Sequence, residues 1–167
     1  HIPGAGYLDV AGELSDQGTH LRYMLPDLNE LAASFARRGI GEDTRVVVYD
    51  TDSMMWSTRV WLLLRSIGFE NVAVLDGGFK KWRAEGRETS NQPDTYRPAS
   101  PMTVTDRSPF VDKHAVLAAM DASDNPLIHS LRPEQFIGEG IQFGRSGHIP
   151  GSVNVAASNI IDEETGM

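Results

Sequence analysis

The sequence predicts an α/β fold, a parallel sheet with helices on both faces, and three observations carry that expectation. Two short β-branched runs, Arg45-Val46-Val47-Val48-Tyr49 and Val72-Ala73-Val74-Leu75, have the composition of buried strands. Segments of helical spacing precede, separate and follow them, which is the alternation that parallel strands need for their crossovers. The third observation is a repeat. His-Ile-Pro-Gly followed by a small residue occurs at His1-Ile2-Pro3-Gly4-Ala5 and at His148-Ile149-Pro150-Gly151-Ser152, 147 positions apart. That period is one domain's length, far above the roughly 20–50 residues of a solenoid unit. The chain is therefore expected to open inside one globular unit and close inside a second.

Each element has a local reason. In the repeated motif, Ile-Pro favours an extended segment, Pro-Gly makes a turn and the small residue starts a strand. Pro26-Asp27-Leu28 opens a helix with Leu28, Leu31, Ala32 and Phe35 on one stripe and Gly39 as its stop. The Val46 strand follows. Trp56 to Ser66 then places Trp56, Val60, Leu63, Leu64 and Ile67 at helical spacing before Gly68, and Trp56, Trp61 and Trp82 are expected in the core. The Val72 strand closes on Asp76-Gly77-Gly78, and a short helix through Phe79 and Trp82 stops at Gly86. Residues 1–90 thus form the first unit. From Asn91 to Pro109, Pro93, Pro98, Pro101 and Pro109 interrupt any apolar face, so 91–109 reads as a linker. In the second unit, 110–167, Asp112 caps a helix carrying Val116, Leu117 and Met120. Pro126-Leu127-Ile128-His129 leads into a strand, and a loop with Gly138, Gly140, Gly144 and Gly147 reaches the second His-Ile-Pro-Gly turn.

Composition excludes several functions. With 167 residues, 40% hydrophobic, and a net charge of −8, the chain has the balance of a soluble globular protein. Its acidity disfavours nucleic acid and anionic membranes as partners, and no run approaches the roughly 18 apolar residues of a membrane helix. The five histidines are scattered, with no helical zinc pair, so no metal is expected. There is no cysteine, which removes disulfides, cysteine-ligated zinc and thiol catalysis from these residues.

Chemistry in a parallel sheet is expected at the carboxyl ends of its strands. Here that place is Asp50-Thr51-Asp52-Ser53-Met54-Met55, between the Val46 strand and the Trp56 helix. A loop entering a helix aims N–H groups at an anion, yet this loop supplies its own carboxylates, Asp50 and Asp52. Capping of the helix by an Asp or the Ser of this loop is the favoured reading over a catalytic carboxylate, and no basic partner adjoins Asp50 in sequence.

Four ordered blocks, His1-Ile2-Pro3-Gly4-Ala5, Val46-Val47-Val48-Tyr49-Asp50, Arg59-Val60-Trp61 with Leu64-Arg65 and Gly68, and Val72-Ala73-Val74-Leu75-Asp76-Gly77-Gly78-Phe79 with Trp82, together resemble the tandem rhodanese family of thiosulfate and 3-mercaptopyruvate sulfurtransferases. The resemblance covers essentially the whole chain and implies a rhodanese-like fold. It implies an amino-terminal domain lacking its first elements, then a linker, then a carboxy-terminal domain that stops before its active-site loop. In that family a cysteine in the carboxy-terminal domain becomes a persulfide, while the amino-terminal domain commonly carries Asp at the equivalent place and is silent. Asp50 holds that place here, so this segment alone is expected to be inactive, with no catalytic residue and no cofactor. The implied partners are a small anionic sulfur donor and a thiol or cyanide acceptor.

The second unit departs from the family pattern. Where the family reads Asp-small-Arg, this chain has His129-Ser130-Leu131, with Arg132 one place late. Arg132 and Arg145 are the candidate substrate-binding residues, each weighed against an ordinary surface arginine. His129 is read as a buried, hydrogen-bonded histidine at a strand end rather than a general base. Two arrangements explain the incomplete units. The preferred one has missing parts of a longer molecule supplying the pairing. In the other, residues 104–155 complete the first unit's sheet, within a chain or by segment exchange between chains. Two functional classes remain, part of a sulfurtransferase or a non-catalytic rhodanese-like binding module. A cytoplasmic location is expected, since nothing in the residues demands export.

Overall fold

In the computed structural model, residues 1–51, 53–92, 94–120, 126–139, 144–160 and 162 are described. The first helix, α1 (Leu28–Arg37), starts where Asp27 caps it. The Asp27 carboxylate accepts the backbone N–H groups of Asn29 at 2.8 Å and Glu30 at 3.2 Å, two donors that otherwise lack partners. Leu31, Ala32 and Phe35 are buried, as their spacing requires. The helix ends before Gly39, whose φ is +83°; a Cβ there would lie 2.6 Å from the Cβ of Tyr96. Backbone and neighbour both demand glycine.

Strands β1 (Val46–Val48) and β2 (Val72–Val74) pair in parallel, Val46 opposite Val72 and Val48 opposite Val74. Between them in sequence, α2 (Met55–Ser66) packs against both strands and against α1. Phe35, Leu31, Leu63, Leu64 and Ile67 form the core, joined by Leu14 from the long segment that precedes α1. The fold is the expected α/β arrangement of parallel strands and crossover helices. Both strands differ in detail: in β1 Val46 and Val48 are buried but Val47 is 54% exposed, and in β2 Val72 and Val74 are half-buried while Ala73 is exposed, so each is one-sided rather than fully buried. The three tryptophans differ too. Trp56, Trp61 and Trp82 are half-buried, because each borders the core and keeps a polar or aromatic partner. Trp56 packs against Tyr23, the Arg65 guanidinium lies over Trp61, and the Trp82 indole N–H donates to Glu88 O at 2.7 Å. The turn after β2 leads into α3 (Gly78–Ala84).

The chain divides after Pro109, with residues 1–109 as one unit and the second beginning at Phe110. The segment that reads as a linker is packed onto the first unit. Ala99 N–H donates to Ala36 O at 2.9 Å, Thr105 N–H to Ile67 O at 3.0 Å and Arg107 N–H to Ser66 O at 2.9 Å. These bonds satisfy carbonyls at the ends of α1 and α2, and Met102 is buried. Prolines removed the periodicity that would have revealed this, since an extended strap needs none. Thr103 N–H also donates to the Glu42 carboxylate at 3.0 Å, and that bond holds Glu42 below its ordinary value. A lowered folded value stabilises the protein above the unfolded Glu pKa, and the gain is lost as pH falls through the folded value. Glu42→Gln is therefore expected to flatten the loss of stability below about pH 4. Urea midpoints measured from pH 3 to 6 check this, and an unchanged slope contradicts it.

In the second unit Asp112 caps α4 (Lys113–Met120), accepting the N–H groups of His114 and Ala115 at 2.9 Å each. No side chain of α4 is buried, so the apolar positions expected to face a core, Leu117 among them, are exposed or half-buried. Strand β3 (Ile128–His129) pairs in parallel with β4 (Val153–Asn154), and α5 (Pro133–Phe136) lies between them in sequence. A 3-10 turn, Ala157–Ile160, follows. Among the described residues β3 and β4 form their own sheet, separate from that of β1 and β2. Within that sheet the carbonyls of Leu127 and His129 accept Val153 N–H and Val155 N–H. Gly140 of the glycine-rich loop lies outside the described residues.

Candidate functional site

The carboxyl end of β1 delivers Tyr49 and Asp50 into the loop that becomes α2. The residue before α2, Met54, has a left-handed backbone with φ of 57° and a side chain that makes no capping hydrogen bond. Its capping role falls to Asp50. One carboxylate oxygen, Oδ1, accepts Met54 N–H at 3.0 Å; the other, Oδ2, accepts Trp56 N–H and Ser57 N–H, each at 3.0 Å. Trp56 and Ser57 are the second and third residues of the helix, whose donors an ordinary cap would take. Ser57 Oγ lies 3.3 Å from Oδ2 and 2.9 Å from Met54 O, and its single proton serves one of them at a time. The anion cradle expected here thus exists, and Asp50 fills it.

Neighbouring elements hold Asp50 in place. Its carbonyl accepts Phe79 N–H at 3.0 Å from the first turn of α3, and a Cβ on Gly78 would lie 3.1 Å from that carbonyl. Tyr49 connects the site to the repeated motif, its hydroxyl accepting Ile2 N–H at 2.9 Å. On the other side, Arg59 of α2 donates to Tyr23 O, and the Tyr23 ring packs 4.9 Å from that of Trp56. Burial lowers the Arg59 pKa from its ordinary value. Tyr23 and Met54 are the non-glycine residues with positive φ among those described, and Trp56 and its helix join them. Sequence reading left residues 6–25 unassigned and missed both Tyr23 and Ser57. The Ser57 signal was available, an acceptor-seeking N–H and hydroxyl in the first turn behind a loop aspartate; Tyr23 had none.

Asp50→Ala is expected to lower stability by about 2 kcal/mol, since three backbone donors lose a charged acceptor in a half-buried loop. Asp50→Asn, which keeps one acceptor oxygen, should cost less. Urea unfolding of the two variants checks the order, and equal, negligible losses would mean that water replaces the carboxylate freely.

The other sequence-selected residues are placed as follows. Asp52 lies outside the described residues. Arg132 and Arg145 are both in the second unit and exposed. Arg132 precedes α5, where its backbone N–H donates to the Gln135 side chain at 3.1 Å. Leu131 is 42% exposed. His129 is half-buried, and its Nε2 is buried without a hydrogen-bond partner. That corrects the expectation of a hydrogen-bonded histidine at this nitrogen; the ring packs instead in a T-shaped arrangement with Phe136, centroids 5.4 Å apart. His148 stacks on the same Phe136 at 3.7 Å, with Nδ1 2.7 Å from Phe136 O. Both copies of the repeated motif make the same turn: Ala5 N–H donates to Ile2 O at 3.1 Å, and Ser152 N–H donates to Ile149 O at 3.0 Å. Gly4 and Gly151 have φ of 78° and 81°, values that Pro-Gly turns of this type require. Only the second turn runs on into a strand among the described residues.

No group of three metal-ligating side chains occurs among the described residues, and no helix there is long and apolar enough to cross a membrane.

Residues 1–85 match the model of the rhodanese-like domain. Thiosulfate sulfurtransferase of Bos taurus is 34% identical over 170 residues, and 3-mercaptopyruvate sulfurtransferase of Rattus norvegicus is 32% identical over 173. Each alignment takes in 98% of this chain and 57% of the relative, so the chain spans somewhat over half the length of these curated relatives. The crystal structure of SseA from Escherichia coli, a 3-mercaptopyruvate sulfotransferase, superposes with a TM-score of 0.85 at 29% identity, covering 98% of this chain and 62% of that one. A β1–α2–β2 unit closed by an aspartate cradle, a repeated His-Ile-Pro-Gly turn and these likenesses lead to one conclusion: the chain belongs to the rhodanese-like domain family.

Proposed function

We propose that this chain is part of a sulfurtransferase that moves a sulfane sulfur from thiosulfate or 3-mercaptopyruvate to a thiophilic acceptor through a cysteine persulfide, with the cysteine outside the 167 residues. The observation that carries the reading is the filled cradle at Asp50. The loop and helix start that would hold an anionic persulfide are built, but a carboxylate occupies them. A carboxylate carries no transferable sulfur and repels an anionic donor, so the first unit serves as the silent half. The repeat period of 147 puts the counterpart of Asp50 about 30 positions beyond Met167.

The reaction needs a thiolate at that counterpart. The thiolate attacks the outer sulfur of thiosulfate, the S–S bond breaks and sulfite leaves with the electron pair, producing a persulfide. Cyanide or an acceptor thiolate then attacks the outer persulfide sulfur and returns the enzyme thiolate. Loop N–H groups and the helix dipole favour the thiolate and the persulfide anion. Arg132 and Arg145 would contribute positive charge toward the donor anion.

A second reading, a non-catalytic rhodanese-like binding or regulatory module, is favoured by the absence of cysteine from these residues and by the His129-Ser130-Leu131 segment, where solvent-facing Leu131 stands in place of the arginine that the resemblance implies. Intact mass of the native gene product before and after thiosulfate or 3-mercaptopyruvate separates the two. The expected result is a species well above 18.3 kDa that gains one cyanide-removable sulfur. A longer species that gains none from either donor overturns the sulfurtransferase reading in favour of the module.

A further inference from the structure

We draw no further inference here: the strongest candidate, the exposed apolar side chains that α4, β3 and β4 present in the second unit at Leu117, Ile128 and Val153, has no partner among the described residues, and nothing in the structure shows what covers it.

Discussion

Phe35→Ala is expected to remove about 4 kcal/mol of stability from the 167-residue chain. Phe35 is fully buried in α1, the helix that packs on α2, and it is the largest of the fully buried side chains among the described residues. Truncation loses the transfer free energy of the ring and leaves a cavity, because Leu31 and Leu63 on well-formed helices cannot move far enough to fill it. Set against a typical total of about 5–15 kcal/mol, the loss would unfold a substantial fraction of molecules. Phe35→Leu keeps most of the volume and should cost much less. Urea unfolding followed by tryptophan fluorescence measures both, since Trp56 and Trp61 lie on α2. A loss below about 1 kcal/mol for the alanine variant would show that the α1–α2 contact is not the centre of the core.

Gly39→Ala is expected to cost about 3 kcal/mol, through two separable terms. A left-handed backbone conformation costs an L-residue about 1–2 kcal/mol, and forcing a methyl group into a filled site costs about as much again. The second term arises because the new Cβ would sit 2.6 Å from Tyr96 Cβ and 3.0 Å from Arg97 O, neither of which is the flexible end of a side chain. Gly86 separates the terms. Its φ of +69° is similar, but a Cβ there meets nothing within 4 Å. Gly86→Ala should therefore show the backbone cost alone, about 1 kcal/mol. If the two alanine variants are equally destabilised, the packing of the 94–109 segment over α1 contributes nothing. A large excess for Gly39 supports that packing.

The glycine comparison also shows where sequence reading reached its limit. Gly39 was legible as a helix stop, since a residue of that type directly after an apolar stripe ends the stripe by its own backbone preference. That Tyr96 presses on it was not legible, because 57 positions of chain separate the two and Tyr96 lies in a proline-broken segment without period. Burial of Leu14 was hidden for the same reason: no neighbour at helix or strand spacing accompanies it. The tryptophans show the opposite error. Their spacing assigned them to the core side, but each has a polar N–H and a large ring, and the boundary lets Trp82 keep its bond to Glu88.

The site divides along the same line. Asp50 could be singled out by position alone, at the end of a β-branched run and before a helix, and capping could be expected of an Asp or Ser of its loop. Its geometry could not. An ordinary cap stands next to its helix, whereas Asp50 reaches Trp56 and Ser57 from six and seven positions away, across a loop turned by left-handed Met54. The sequence by itself determined the main helices and strands of the first unit, the βαβ order, the repeated turn, the carboxylates of the first unit's loop and the family, because these depend on residue type, short spacing and motif order. Only the tertiary structure decided that Asp50 fills the cradle with both oxygens, that residues 94–109 seal the ends of α1 and α2, and that β3 and β4 pair with each other. Each of those rests on contacts between residues distant in sequence, where the free energy comes from burial and from satisfying particular donors rather than from any local preference.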